Sequence, residues 1–228
     1  VEPEGLKSHD EVQYHRQFHL KKLKQLFSEM DVFIFTLGLT ETWICNRSGR
    51  VLPVAPGVIA GKYDPDLHSF KNLSHSEIKN HLKAFIQLIN EVQGSDKCKF
   101  LFTISPVPLT ATATNQHALV ATTFSKSTLR SVVGELYDEY ECVDYFPSYE
   151  IISSSWSRGI FFSSNLRSIE SAGVDAAMRV FFLQHNSSSE SQVKLKAEKQ
   201  IIPTNSDEQD NDSDDVMCEE ELLEGFAK

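Results

Sequence analysis

Five short stretches of the sequence carry side chains able to do chemistry. In "TLGLTETW", Gly38, Thr40 and Glu41 follow a run of apolar residues. A hydroxyl there can donate one hydrogen bond to a developing negative charge, and a carboxylate can accept protons or pair a cation. The plainer alternative is that Thr40 caps a turn and Gly38 supplies backbone freedom. In "SKSTLR", Lys126 and Arg130 lie one helical turn apart, where they either draw an anion to a helix start or form a solvated face. "TISPVPL" sets Ser105 against Pro106. It lacks a Gly-x-Ser-x-Gly elbow and the proline removes an amide donor, so a turn role is expected rather than a nucleophile. In "YFPSYEI", Ser148, Tyr149 and Glu150 line a pocket, or Tyr149 fills core space. Arg167, in "SSNLRS", can bind an anion, neutralise an acid or form a surface pair. It stays protonated and cannot act as a general base.

Other chemistries have less support. His68 and His117 lie in loops, but neither has a partner that would make it a base, so neither is chosen. The four cysteines, Cys45, Cys98, Cys142 and Cys218, stand far apart with no C-x-x-C pair. Zinc-site spacing and a disulfide framework are both absent, and no metal or cofactor is expected. Sequons at Asn46, Asn72 and Asn186 are chance-level patterns unless the protein is secreted.

The elements that must position these groups can be read from periodicity. Ser8 and Glu11 have capping-box spacing and open a first helix, with Val12, His19, Leu20, Leu23, Phe27 and Met30 at helical intervals. Residues 32–37 read as a strand apolar on both faces, as in a parallel sheet covered on each side. A long Gly/Pro loop over 46–69 follows. Ser74 and Glu77 cap a second helix with a stripe of Ile78, Leu82, Phe85, Ile89 and Val92. "KFLFTI" is a second buried strand, stopped by Pro106 and Pro108. A third helix is predicted over 125–140, with Leu129, Val132, Val133, Leu136 and Tyr140 inward. "CVDYF" is a third strand, and "SAGVDAAMRVFFLQH" a last helix after an irregular Ser-rich stretch. Alternating strands and helices predict an α/β class with a parallel sheet, whose ligands sit beyond the strands' carboxyl ends. The loops "GLTETW" and "SPVPL" share that rim.

Of 228 residues, 40% are hydrophobic and 24% charged, which suits one domain with a proper core. The net charge of −10 is concentrated at one end, where residues 207–228 hold ten acids against one lysine. That segment carries about −9 and leaves about −1 for the rest, so no basic face points to nucleic acid. Residues 1–186 are expected to form the domain and 187–228 a disordered acidic tail. No run approaches the roughly 20 apolar residues of a membrane span. The chain starts at Val1 without a signal-peptide pattern. A fragment of a longer protein is expected, and for the chain as it stands a cytoplasmic place is favoured.

Four of these motifs, "TLGLTETW", "TISPVPL", "SKSTLR" and "YFPSYEI", occur in an order that closely resembles the GSCFA family, which is related to the SGNH/GDSL hydrolases. The resemblance runs from about Ser8 to His185. It implies a three-layer α/β/α sandwich of flavodoxin-like, SGNH hydrolase type and a serine-centred hydrolase or acyltransferase acting on an ester, carbohydrate-linked esters included. Gly38 and Thr40 fall where such enzymes carry a Gly-x-Asn-Asp turn, so the resemblance places them at the oxyanion site, with Glu41, Lys126, Tyr149 and Arg167 around the pocket. Ser164 and Arg167 fall where those enzymes carry the Asp and His of an Asp-x-x-His pair. No segment before Thr36 matches the Gly-Ser nucleophile motif. The chain on its own is therefore expected to be inactive, and an inactive domain binding an anionic ligand is the alternative.

Overall fold

The computed structural model describes residues 5–58 and 62–185. It is an α/β/α sandwich built on a three-stranded parallel sheet, β1 (Val32–Leu37), β5 (Lys99–Ile104) and β6 (Val143–Phe146), in the order β1-β5-β6. Register fixes the two faces. Phe33, Phe35 and Leu37 of β1 stand beside Phe100, Phe102 and Ile104, while Val32, Ile34 and Thr36 stand beside Lys99, Leu101 and Thr103.

Helices α2 (His75–Gln93) and α3 (Ala118–Glu139) cover the first face with Ile78, Leu82, Ile86, Ile89, Leu129, Val132, Val133 and Leu136. Ser74 and Glu77 form the reciprocal capping box that fixes where α2 begins. Lys79 on α2 bridges Glu135 and Glu139 on α3, at 2.5 Å each. On the second face, α4 (Ser148–Ser153) and α5 (Ser171–His185) pack Ile152 and Ala177 over Leu101 and Phe146.

That second cover stops short of β1. Val32 is 52% and Ile34 55% exposed, so β1 is not the strand buried on both faces that its composition predicts. It is an edge strand with its outer hydrogen-bonding side unpaired among the described residues. The first helix, α1 (His9–Glu29), differs too. It has no buried residue, and only Phe27 and the following Met30 pack against the core. Val12 and Leu20, expected inward, are 43% and 49% exposed. In α2, Phe85 is only partly buried and Val92 is exposed, with Ile86 taking the inward place.

The long loop predicted over 46–69 belongs to a second, small sheet. Glu41–Cys45 (β2), Arg50–Leu52 (β3) and His68–Asn72 (β4) form a small antiparallel sheet in the order β3-β2-β4. Trp43, Tyr63 and Phe70 pack edge to face beside it, which explains why a Gly/Pro-rich segment holds a shape. The acidic tail expected over 187–228 lies outside the described residues.

Candidate functional site

The turn after β1 is held by buried polar bonds. Thr40 is fully buried, and its Oγ1 donates to Asn72 Oδ1 at 2.6 Å. Ser125, equally buried on α3, lies 2.8 Å away through its Oγ, which also accepts from the Thr40 N–H at 3.4 Å. A hydroxyl has one proton. With Thr40's given to Asn72, the Thr40–Ser125 bond is donated by Ser125. The Thr40 carbonyl accepts from the Leu73 N–H at 2.9 Å, fixing the turn to the start of α2 as well. Lys126, 1% exposed, donates its Nζ to the Gly38 carbonyl at 2.7 Å.

Four of the stretches singled out in the sequence are tied to one another. Glu41 accepts from Thr112 Oγ1 and, at 3.2 Å, from the Ala113 N–H, so it anchors the loop beyond "SPVPL". Ser148 Oγ lies 2.6 Å from Thr103 Oγ1 and donates to the Ile104 carbonyl at 3.0 Å, joining "YFPSYEI" to the end of β5. Arg130 pairs with Glu150 at 2.8 Å and lies over the Tyr145 ring at 4.1 Å. Tyr145 donates to the other Glu150 oxygen at 2.6 Å. Burial, then the bond to Glu150, pushes the Tyr145 phenol well above its usual range. Burial, followed by the Glu150 charge, raises Tyr149 as well.

The family model of GSCFA matches residues 5–181, most of the chain, from before α1 into α5. The chain belongs to the GSCFA family. No curated protein and no solved structure matches it.

Within this GSCFA domain, Gly38, Thr40, Glu41 and Lys126 gather at the carboxyl end of β1. Among the described residues nothing lies within 4 Å of where a Cβ on Gly38 would stand. Tyr149 is partly buried against the main core cluster. Arg167 sits apart in sequence, in the turn between the bridged residues Phe162 and Ile169. There its N–H donates to Asn165 Oδ1 at 2.9 Å and Leu166 takes a left-handed φ of 58°.

One expectation is corrected. Lys126 does not stand at a helix start with free amides. α3 begins at Ala118, two turns earlier, with His117 as its cap, and Lys126 is a mid-helix residue turned inward. Its amide belongs to the helix and draws no anion. The remaining groups have structural tasks. Ser105 Oγ accepts from the Val107 N–H at 3.2 Å, a turn bond. His117 Nδ1 accepts from the Leu119 N–H and His68 Nδ1 from the Asp64 N–H, both at 3.2 Å.

Asn72 and Ser125 are the residues that sequence reasoning missed as members of the cluster. Ser125 stands next to Lys126 inside a motif, which was the available clue. Asn72 had none, because only the fold of β4 brings it to Thr40. Among the described residues no group of three or more His, Cys, Asp or Glu is placed to hold a metal ion. Nor is any described helix long and apolar enough to cross a membrane.

Proposed function

We propose that this GSCFA domain forms the pocket of an SGNH-like serine hydrolase or acyltransferase acting on an ester, carbohydrate-linked esters among them. Its reacting serine is supplied by a strand outside the described residues. The observation that carries this reading is the apolar edge of β1, unpaired among the described residues, beside the Gly38 turn, where no described residue lies close. A strand pairing in parallel along that edge ends beside Gly38, so a serine at its carboxyl end reaches the rim where ligands of such sheets bind.

The chemistry is acyl transfer. The serine Oγ attacks the ester carbonyl, the alcohol departs, and water or a second alcohol takes the acyl group. Arg167 cannot accept the serine proton, so the base comes with the added segment. Because the Thr40 hydroxyl is committed to Asn72, the reading gives the oxyanion to the backbone N–H groups of Gly38 and Leu39, with Thr40 holding that turn in place. Glu41, Lys126, Tyr149 and Arg167 shape the pocket around it.

The test is fluorophosphonate labelling of a longer polypeptide that includes the residues encoded before Val1. Labelling of a serine there, lost on Gly38→Val, supports the reading. The 228-residue chain alone should leave an acetyl ester at its buffer rate. Turnover by that chain, abolished by Ser105→Ala, would sink the reading.

A second reading is an inactive domain that binds an anionic ligand. It is favoured by the arginine at the place of the catalytic base and by the engaged Thr40 hydroxyl. Under it, acetate or phosphate raises the Tm of the 228-residue chain saturably, and Arg167→Gln removes the effect.

A further inference from the structure

Helix α1 presents a face that no described residue covers. Phe27 and Met30 pack against the core, with Leu23 and Arg16 on the same side by helical spacing, whereas Tyr14, Phe18, Lys21 and Gln25 fall on the opposite side and Lys22 and Lys24 at its two flanks. Tyr14 is 68% and Phe18 54% exposed, unusual for aromatics on a solvent-facing stripe. Lys22 Nζ already lies over the Phe18 ring at 5.9 Å. Residues 12–28 contain Arg16, Lys21, Lys22 and Lys24 and no acid. Among the described residues none of these four cations is in an ion pair, whereas Lys71, Lys79, Lys83 and Arg130 elsewhere on the surface are paired with carboxylates.

The same sequence contains a segment of matching chemistry. Residues 207–224 hold ten acids, and Val216, Met217, Leu222, Leu223 and Phe226 are interleaved with or adjacent to them. We propose that this acidic segment docks on the outward face of α1, its carboxylates beside Lys21, Lys22 and Lys24 and its apolar residues on Tyr14 and Phe18. There are 21 residues between His185 and Asp207, and a chain of that length reaches at most about 70 Å. A domain of this size is about 40 Å across, so the tether reaches α1 from the end of α5. Tethering holds the segment at an effective concentration on the order of millimolar, enough to occupy a face whose attraction for a free peptide is weak. Binding by charge and scattered apolar contacts needs no fixed conformation of the segment, and salt weakens it.

The test is zero-length carbodiimide cross-linking of the intact 228-residue chain at low ionic strength, read by mass spectrometry of the monomer band. Links from Lys21, Lys22 or Lys24 to carboxylates in 207–224 should outnumber those from Lys62, Lys97 or Lys99 severalfold. They should fall severalfold at about 1 M salt, where the Debye length is about 3 Å. The triple variant K21E/K22E/K24E should lose them. Combining it with E219K/E220K/E221K should restore helix–tail links with the reactive groups exchanged, a result that a misfolded helix cannot give. Phe18→Ser, which leaves the charges in place, should lower the links that survive salt. Links spread evenly over the surface lysines overturn the proposal. So do links confined to the dimer band, which assign the face to a second copy, and an absence of links in a chain that co-sediments with anionic vesicles, which assigns it to a lipid surface.

Discussion

At the scale of single residues, the turn after β1 is a problem in proton counting. Thr40 and Ser125 are fully buried and Asn72 is half-buried beside them, so a bond removed there leaves a partner short of one. Thr40→Val keeps the shape and deletes the hydroxyl, so we expect a loss of about 1–3 kcal/mol in urea unfolding, mainly from the buried Ser125 hydroxyl left without its acceptor. Thr40→Ser, which keeps the hydroxyl, should lose less. Because the residues touch, Thr40→Val with Ser125→Ala should cost less than the two single changes together, and strict additivity would show that the network is not coupled. Tyr145 offers an optical check on the neighbouring brace. Its folded-state value is raised, which favours the neutral phenol in the native protein. The resulting stability is therefore complete below about pH 10, the value for a free tyrosine, and is lost as pH climbs toward the folded value. In an ultraviolet titration, subtracting the Tyr145→Phe curve should leave a phenol that ionises well above pH ~10.

Among the elements, α2 has the most explicit start, and its cap is also a joint. Glu77 lies at the first turn of α2, accepts from the Ser74 N–H at 3.0 Å and pairs with Lys71 of β4 at 2.5 Å. The Lys71 bond, then the bonds from Ser74, hold its carboxyl down to about 2. A depressed acid contributes stability above its free value of 4.5, and that contribution disappears as pH falls through about 2. The stability difference between wild type and Glu77→Gln should thus be largest near neutrality and close on acidification, a pattern readable from urea midpoints at several pH values. Ser74→Ala, losing the other half of the box, should cost about 1 kcal/mol. Local signals of this kind made α2, β5, β6 and α5 legible in the sequence, because capping residues, flanking prolines and apolar period act over a few residues. What stayed hidden depended on distant partners. α3 starts at a histidine cap that composition does not favour, and β2, β3 and β4 exist because Trp43 finds Phe70 across a strand pair. The site was half visible for the same reason. Gly38, Thr40 and Glu41 could be chosen from one motif, but Asn72 reaches them only through the register of β2 with β4.

For the molecule as a whole, the sheet is unequally protected. β6 lies at one edge of the three-stranded sheet, and β1 forms the other with Val32, Ile34 and Phe35 at 52%, 55% and 42% exposure. No charged residue or proline interrupts Val32–Leu37, so this edge lacks the devices that keep strands from pairing with other chains. Its outer amide and carbonyl groups, unpaired among the described residues, and its apolar residues make one continuous template. The 228-residue chain should therefore self-associate as its concentration rises, measurable by sedimentation velocity. Ile34→Lys places a charge on the exposed face without touching the core. It should suppress that association while changing unfolding stability by no more than about 0.5 kcal/mol. The same substitution separates the two demands on this edge. In a longer polypeptide whose added strand pairs with β1, Ile34 becomes buried on the second face. There Ile34→Lys should destabilise the protein by several times that amount and abolish serine labelling at the rim. Equal, small effects in both polypeptides would mean that no strand joins β1, and the serine of the proposed reaction would have to reach Gly38 by another route.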